Sequence, residues 1–234
     1  MGKTPCIVSS DYRPQGGADA IVAACLRSKA ARRHTDRRAK DAVSVPGEPE
    51  PVVSLTFDDG PDPVLTPRLL GILDRHGIPA TFFVLGRKLD ETGIQIIRNA
   101  SAAGHSFGNH SFNHHNLAKL PKERVEEELR TTQCLIDRCS DGPRLFRPPY
   151  GATNGTVREV AWRGRYKLVL WSVDALDWQL QDARWVEPAV AKISPTGHSV
   201  VLLHDIFETT VAHMDEFIAA IRHRHPRVRF STFT

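Results

Sequence analysis

Two groups of residues have the types and spacing to hold a metal ion. Thr56-Phe57-Asp58-Asp59-Gly60 sets adjacent carboxylates behind a short apolar run. Two such charges cannot both enter a core cheaply, so they must meet a cation, a metal or solvent. An isolated D-D-G is otherwise a common turn with exposed acids. His110-Ser111-Phe112-Asn113-His114, followed by His115, places two imidazoles four residues apart. From a helix turn or a tight loop, such a pair can present ring nitrogens to one ion. Among eleven histidines the spacing also arises incidentally. Asp59, His110 and His114 together form a two-His, one-carboxylate set that leaves coordination positions open for water and substrate, as catalytic metal sites do. His115 can replace His114 only if the loop is wound differently. His76 and His105 sit in turn contexts and read as structural.

Further along, Arg147-Pro148-Pro149-Tyr150-Gly151 contains a Pro-Pro pair that fixes backbone dihedrals and removes two N–H donors. It can aim the Tyr150 and Gly151 amides at an oxyanion, or serve only as a rigid turn. Trp171-Ser172-Val173-Asp174-Ala175-Leu176-Asp177-Trp178 and Leu202-Leu203-His204-Asp205 complete the set. A carboxylate such as Asp177 would orient His204 and raise its pKa, keeping it protonated as a general acid. Trp178 and Leu202 are apolar enough to hold a methyl group, and equally suited to a core.

These residues need elements to position them. From residue 52 onward, short β-branched or aromatic runs alternate with longer amphipathic ones. The pattern predicts strands at 52–57, 80–85, 145–147, 167–173, 199–204 and 228–233. It predicts helices at 66–76, 94–103, 121–139, 154–163, 183–193 and 211–224, with a His-rich loop between 103 and 121. Such alternation implies parallel strands covered by helices, as an open sheet or a barrel. The continuous apolar runs 168–171 and 200–203 suit burial on both faces. Asp58 and Asp59, Asp174 and Asp177, and His204 and Asp205 each follow a different strand. The carboxyl ends of parallel strands open onto one rim, where such folds place their sites.

Read in order, T-F-D-D-G, N-H-S-F-N-H, R-P-P-Y-G, D-A-L-D-W and L-L-H-D resemble the five motifs of the polysaccharide deacetylases, carbohydrate esterase family 4 (the NodB-homology domain). The resemblance runs from about residue 51 to the end and leaves 1–50 unexplained. It implies an α/β fold, a distorted and incomplete (β/α) barrel. It implies a divalent metal, zinc first and cobalt or nickel as alternatives, on Asp59, His110 and His114. Asp58 becomes the general base, with Arg147 paired to it. The Tyr150 amide becomes an oxyanion donor, and His204 the acid backed by Asp177. Tyr150, Trp178 and Leu202 become the lining of an acetate pocket. The activity implied is removal of N-acetyl groups from a GlcNAc-containing glycan of peptidoglycan or chitin type. An O-acetyl xylan esterase would use the same machinery on an easier leaving group. A non-catalytic carbohydrate-binding domain would need neither Asp58 nor His204.

Charge and composition bound the alternatives. Of the 234 residues, 41% are hydrophobic and 25% charged, ordinary for a globular protein. Residues 1–50 hold nine Lys/Arg against six Asp/Glu, and the remainder 22 against 21. The near-neutral remainder gives nucleic acid no electrostatic footprint. The first 50 residues read as a basic, poorly ordered extension with a Pro-rich linker, and 51–234 as the catalytic domain. The run Arg27, Lys29, Arg32, Arg33, Arg37, Arg38, Lys40 reads as a solvated tail. No apolar stretch reaches the length of a membrane span. The stretch 21–26, flanked by Asp19 and Arg27, is too short for a signal-peptide core, although a cell-wall or extracellular location fits the implied substrate. Cys6, Cys25, Cys134 and Cys139 include no C-x-x-C pair. Five helical residues advance about 7.5 Å, beyond a disulfide's reach, so Cys134 and Cys139 read as structural thiols. Cys139 joins the stripe of Val125, Leu129 and Ile136.

Overall fold

The computed structural model describes residues 50–233. Its frame is a set of parallel strands: β1 Val52–Asp58, β2 Thr81–Val84, β3 Ser106–Asn109, β4 Leu145–Phe146, β5 Lys167–Leu168, β6 Val173–Asp174, β7 His198–His204 and β8 Arg229–Phe230. They run side by side as β5-β4-β3-β2-β1-β7-β6, with β8 against the start of β1. Every pairing is parallel. The sheet curls into an incomplete (β/α) barrel, the form that the family resemblance implied.

β1 lies inside the sheet, between β2 and β7, and both of its faces are buried. Side chains alternate across a strand. Val53, Leu55 and Phe57 enter the main apolar cluster, while Ser54, Thr56 and Asp58 share the other face. The helices supply the facing apolar stripes. In α1 (Leu65–His76), Leu69, Ile72 and Leu73 are buried at helical spacing. In α7 (Met214–Arg224), Met214, Phe217, Ile218 and Ile221 do the same. Between them in sequence, α2 (Glu91–Ala102) starts from Asp90, whose side chain accepts from Gly93 N at 2.9 Å. α3 (Lys122–Ile136) follows Pro121. α4 (Gly155–Arg163) starts from Asn154, which accepts from Val157 N. α5 (Val186–Ala191) and α6 (Glu208–Ala212) are short.

Several sequence expectations need correction. The strand foreseen at 167–173 is two strands: β5 pairs with β4, and β6 pairs with β7. One segment thus supplies both edges of the sheet and spans the gap between them. Leu170, in that gap, is 44% exposed, so the run 168–171 is not buried on both faces. β3 was missed, and lies where a His-rich loop was expected. Its residues are Ser-Phe-Gly-Asn, with two poor strand formers. Gly108 is there because a Cβ would lie 2.5 Å from the Phe83 ring. The last helix breaks at His213 into α6 and α7. The last strand keeps two residues of the six foreseen.

Readings for residues 1–49, including Cys6 and Cys25, lie outside the described residues. α3 ends at Ile136, and Cys139 follows it as a free, half-buried thiol donating to Leu135 O at 3.3 Å. Burial pushes that thiol's pKa up. Cys134 is disulfide-bonded, not the thiol expected. The axial-rise argument excluded only a bridge to Cys139, and that exclusion stands. Among the described residues no helix is long and apolar enough to cross a membrane.

Candidate functional site

The carboxyl end of β1 is the hub of the rim. Asp58, its last residue, is buried and lies in register with His204 of β7. Its Oδ1 accepts from Arg147 Nη1 at 2.7 Å, and the same nitrogen donates to Thr56 Oγ1 at 2.8 Å. Arg147 is fully buried. It comes from the loop after β4 and lies over the Phe83 ring at 4.1 Å. Its Nε and Nη2 donate to Val169 O and Leu170 O at 3.2 and 3.3 Å. Those carbonyls belong to the segment between β5 and β6, which has no strand partner there. One guanidinium therefore fixes the carboxylate and the open seam together.

Asp59 turns away because its backbone is left-handed, φ 74°. The next residue is glycine for a packing reason: a Cβ on Gly60 would lie 2.1 Å from Asp205 Oδ2. Asp205 itself points under this turn, where Thr66 Oγ1 donates to Oδ2 at 2.5 Å. Burial pushes its pKa up to about 7 against that hydrogen bond.

Asp59, His110 and His114 converge. Asp59 Oδ1 lies 3.5 Å from His110 Nε2 and 3.2 Å from His114 Nε2. His110 Nε2 is also 3.6 Å from Asp58 Oδ2. His110 Nδ1 lies 2.7 Å from Arg147 O. Only a protonated Nδ1 can donate to that carbonyl, so Nε2 keeps its lone pair toward Asp59. Burial pulls the His114 pKa down, against the Asp59 charge, which favours the neutral imidazole a metal needs. Asp59 Oδ1 is buried and has no hydrogen-bond partner. An orphaned oxygen facing two imidazole lone pairs fits a cation. Among the described residues this trio is the one set of three metal-ligating side chains with ligand atoms all within 4.8 Å.

The histidine loop holds its shape with strained backbone. Ser111 and His114 have φ 68° and 64°, a cost of about 1–3 kcal/mol for each such residue. Tyr150 joins them at φ 61°. His115 turns the other way, its Nδ1 3.4 Å from Glu128 Oε1. His76 lies far along the chain at the end of α1, 2.7 Å from Asp215. His105 Nδ1 accepts from Ala80 N at 3.1 Å. Neither joins the trio.

On the β7 side of the rim, Asp177 is fully buried and every oxygen is engaged. Its Oδ1 meets His204 Nδ1 at 2.9 Å and accepts from Trp178 N at 3.0 Å. Oδ2 accepts from His204 N at 2.8 Å and Thr210 Oγ1 at 2.6 Å. Burial acts on His204 most strongly and lowers its pKa. The Asp177 bond and charge, with Asp58 and Asp59 beyond, outweigh it and lift the ring to about 9. Tyr150 is 67% exposed and packs edge-on to His114, with centroids 4.7 Å apart. Trp178 is 48% exposed beside Asp177, and Leu202 is buried, paired with Thr56 below Asp58.

All ten residues singled out in the sequence thus lie at the strand ends or on the loops leaving them. Reading the sequence missed Thr56, Asn109, Glu128 and Thr210, which hold the others in place. Only Glu128 carried a legible signal. It sits with Val125, Leu129 and Thr132 on the buried stripe of α3, where a carboxylate is out of place unless it has partners.

A curled parallel sheet with an open His-His-Asp donor set on its carboxyl rim defines a class of metal-site (β/α) proteins. The chain belongs to the polysaccharide deacetylase family, whose model matches residues 46–169. It is similar to the peptidoglycan-N-acetylglucosamine deacetylase of Listeria monocytogenes, 35% identical over 191 residues, covering 80% of this chain and 40% of that protein. This chain therefore spans less than half of that relative's length. The chitooligosaccharide deacetylase of Sinorhizobium fredii is 34% identical, with 75% of this chain and 84% of that protein covered. Among solved structures, a carbohydrate esterase family 4 pseudoenzyme from Bacillus anthracis is 26% identical with a TM-score of 0.69, covering 77% of this chain and 64% of that one.

Proposed function

We propose that residues 51–234 form a metal-dependent hydrolase that removes N-acetyl groups from GlcNAc-containing glycans of the peptidoglycan or chitin type, releasing acetate outside the cell or at its wall. A pseudoenzyme among the neighbours means that the fold alone cannot carry this reading. One observation does: Asp58 and His204 stand in register on adjacent strands beside the donor trio, each anchored by a buried partner of opposite charge. Binding a sugar requires neither group, whereas hydrolysing an amide requires both a base and an acid.

Asp59, His110 and His114 would hold the divalent ion, zinc with cobalt or nickel as substitutes. Such an ion would polarise the acetyl carbonyl and lower the pKa of water far enough for attack near neutral pH. Asp58 has Oδ1 committed to Arg147, so Oδ2 takes the proton of the attacking water. The Tyr150 amide, presented by its left-handed turn, donates to the oxygen that gains charge. Asp177 holds the Nδ1 proton of His204. Nε2 then carries the proton that the departing amine nitrogen takes, without which the C–N bond breaks to an unstable anion. Tyr150, Trp178 and Leu202 enclose the methyl group.

Acetate release from peptidoglycan, chitooligosaccharides and acetylxylan tests the proposal. Release is expected from the first two and is abolished by Asp58→Asn with bound metal unchanged. Release from acetylxylan alone would replace the N-deacetylase with an esterase. Loss of metal in Asp58→Asn would mean the two aspartates are assigned the wrong way round.

A further inference from the structure

The loop that carries both histidines is held by a residue on a different element. Glu128 lies midway along α3 and is 2% exposed. Its Oε2 accepts from the Phe112 and Asn113 amides, each at 2.8 Å, and its Oε1 accepts from Asn113 Nδ2 at 2.8 Å. Its sole cationic neighbour among the described contacts is the half-exposed His115. A carboxylate with no Lys or Arg beside it stays buried only if hydrogen bonds replace its lost hydration, and here they all come from the segment between His110 and His114.

The rest of that segment is pinned as well. Ser111 N donates to Asn109 Oδ1 and His114 N to Ser111 Oγ, while Ser111 O and Phe112 O accept from Gly86 N and Arg87 N. Each amide from 111 to 114 has one acceptor, and Glu128 provides two of the four. It is also the only charged acceptor among them, and the one that reaches the loop directly from α3. The two left-handed residues bracket its contacts, Ser111 before and His114 after. Without an acceptor for the 112 and 113 amides, two of the four bonds that offset the preference of His114 for ordinary backbone angles are lost. The same relaxation would swing its Nε2 away from Asp59.

We propose that Glu128 is a positioning residue for the metal site, presetting the His110–His114 spacing before any ion binds. The inference rests on the metal reading above, and the experiment separates the two. Cobalt affinity, by competition with a chromophoric chelator, and the visible spectrum of the cobalt protein are measured on the full chain. The wild type is compared with Glu128→Ala, Glu128→Gln and Asn113→Ala, with a thermal melt of each metal-free protein. Glu128→Ala is expected to weaken cobalt binding by about 10- to 100-fold, the usual range for groups that orient a ligand, and to alter the spectrum. Glu128→Gln is expected to stay within about threefold of wild type. Its oxygen still serves the two amides, and its NH2 meets a flipped Asn113 side chain.

Wild-type affinity and spectrum in a cooperatively melting Glu128→Ala would overturn the proposal. If that variant does not fold, Asn113→Ala, which removes only the Oε1 contact, decides. It supports the proposal by binding cobalt at least about threefold more weakly with a shifted spectrum, and overturns it by matching wild type. A wild type that takes up no cobalt overturns the metal reading itself, and this inference with it.

Discussion

Asp58 and Asp59 are neighbours whose carboxylates go separate ways because the backbone turns left-handed at the second. The first meets Arg147 and the second meets two histidines. That division could be foreseen only through the resemblance, since the dihedral that produces it leaves no mark in D-D-G. The pairing of His204 with Asp177 was likewise anticipated, but Thr210, which fixes the other oxygen, was not. A threonine on a short helix looks the same whether it meets water or a buried acid. The pair sets a pH dependence. His204 is protonated up to about 9, so an acid role keeps kcat high through neutrality and loses it as pH rises through that value. Asp177→Asn removes the hydrogen bond to a carboxylate and the charge that do most to raise the ring, and leaves the burial that lowers it. The alkaline limb of the kcat profile is then expected to move to lower pH. A limb unmoved in that variant would assign it to some other group.

At the scale of elements, the long amphipathic helices and the strand runs rich in branched residues announced themselves, and β3 did not. Ser106-Phe107-Gly108-Asn109 has one apolar side chain, and at Gly108 the Phe83 ring fills the space a side chain would have used. Gly108→Ala drives a methyl group to within 2.5 Å of that ring. Displacing Phe83 also disturbs the guanidinium stacked on it. We expect a loss of about 1–3 kcal/mol, read as a lower melting temperature, with acetate release falling more than the stability loss accounts for. A variant as stable as wild type would mean that the ring moves freely. The bent segment 167–174 defeated the sequence pattern for a related reason. Its apolar run is continuous, and nothing in it marks the point where the chain leaves one edge for the other.

For the molecule as a whole, strand–helix alternation was enough to give a parallel sheet covered by helices and the shared rim, while the incomplete barrel came from the resemblance. The donor trio lies on that rim while the main core is built from the opposite face of β1 and the helices behind it. The fold should therefore outlast its metal. Chelation is expected to abolish acetate release and cobalt or zinc to restore it. Far-UV circular dichroism should stay unchanged, and the melting temperature should fall only by the binding energy lost. Collapse of the dichroism on chelation would make the ion a structural one.

Sheets usually end in exposed strands whose unpaired backbone can recruit another chain. Here the two terminal strands, β5 and β6, are two residues each and are joined to one another by four residues of the same segment. The seam is spanned by covalent backbone and held by the Arg147 fork, and these two edge strands are too short to template a neighbour's strand. A protein whose rim stays open gains from this a resistance to edge-to-edge association during folding.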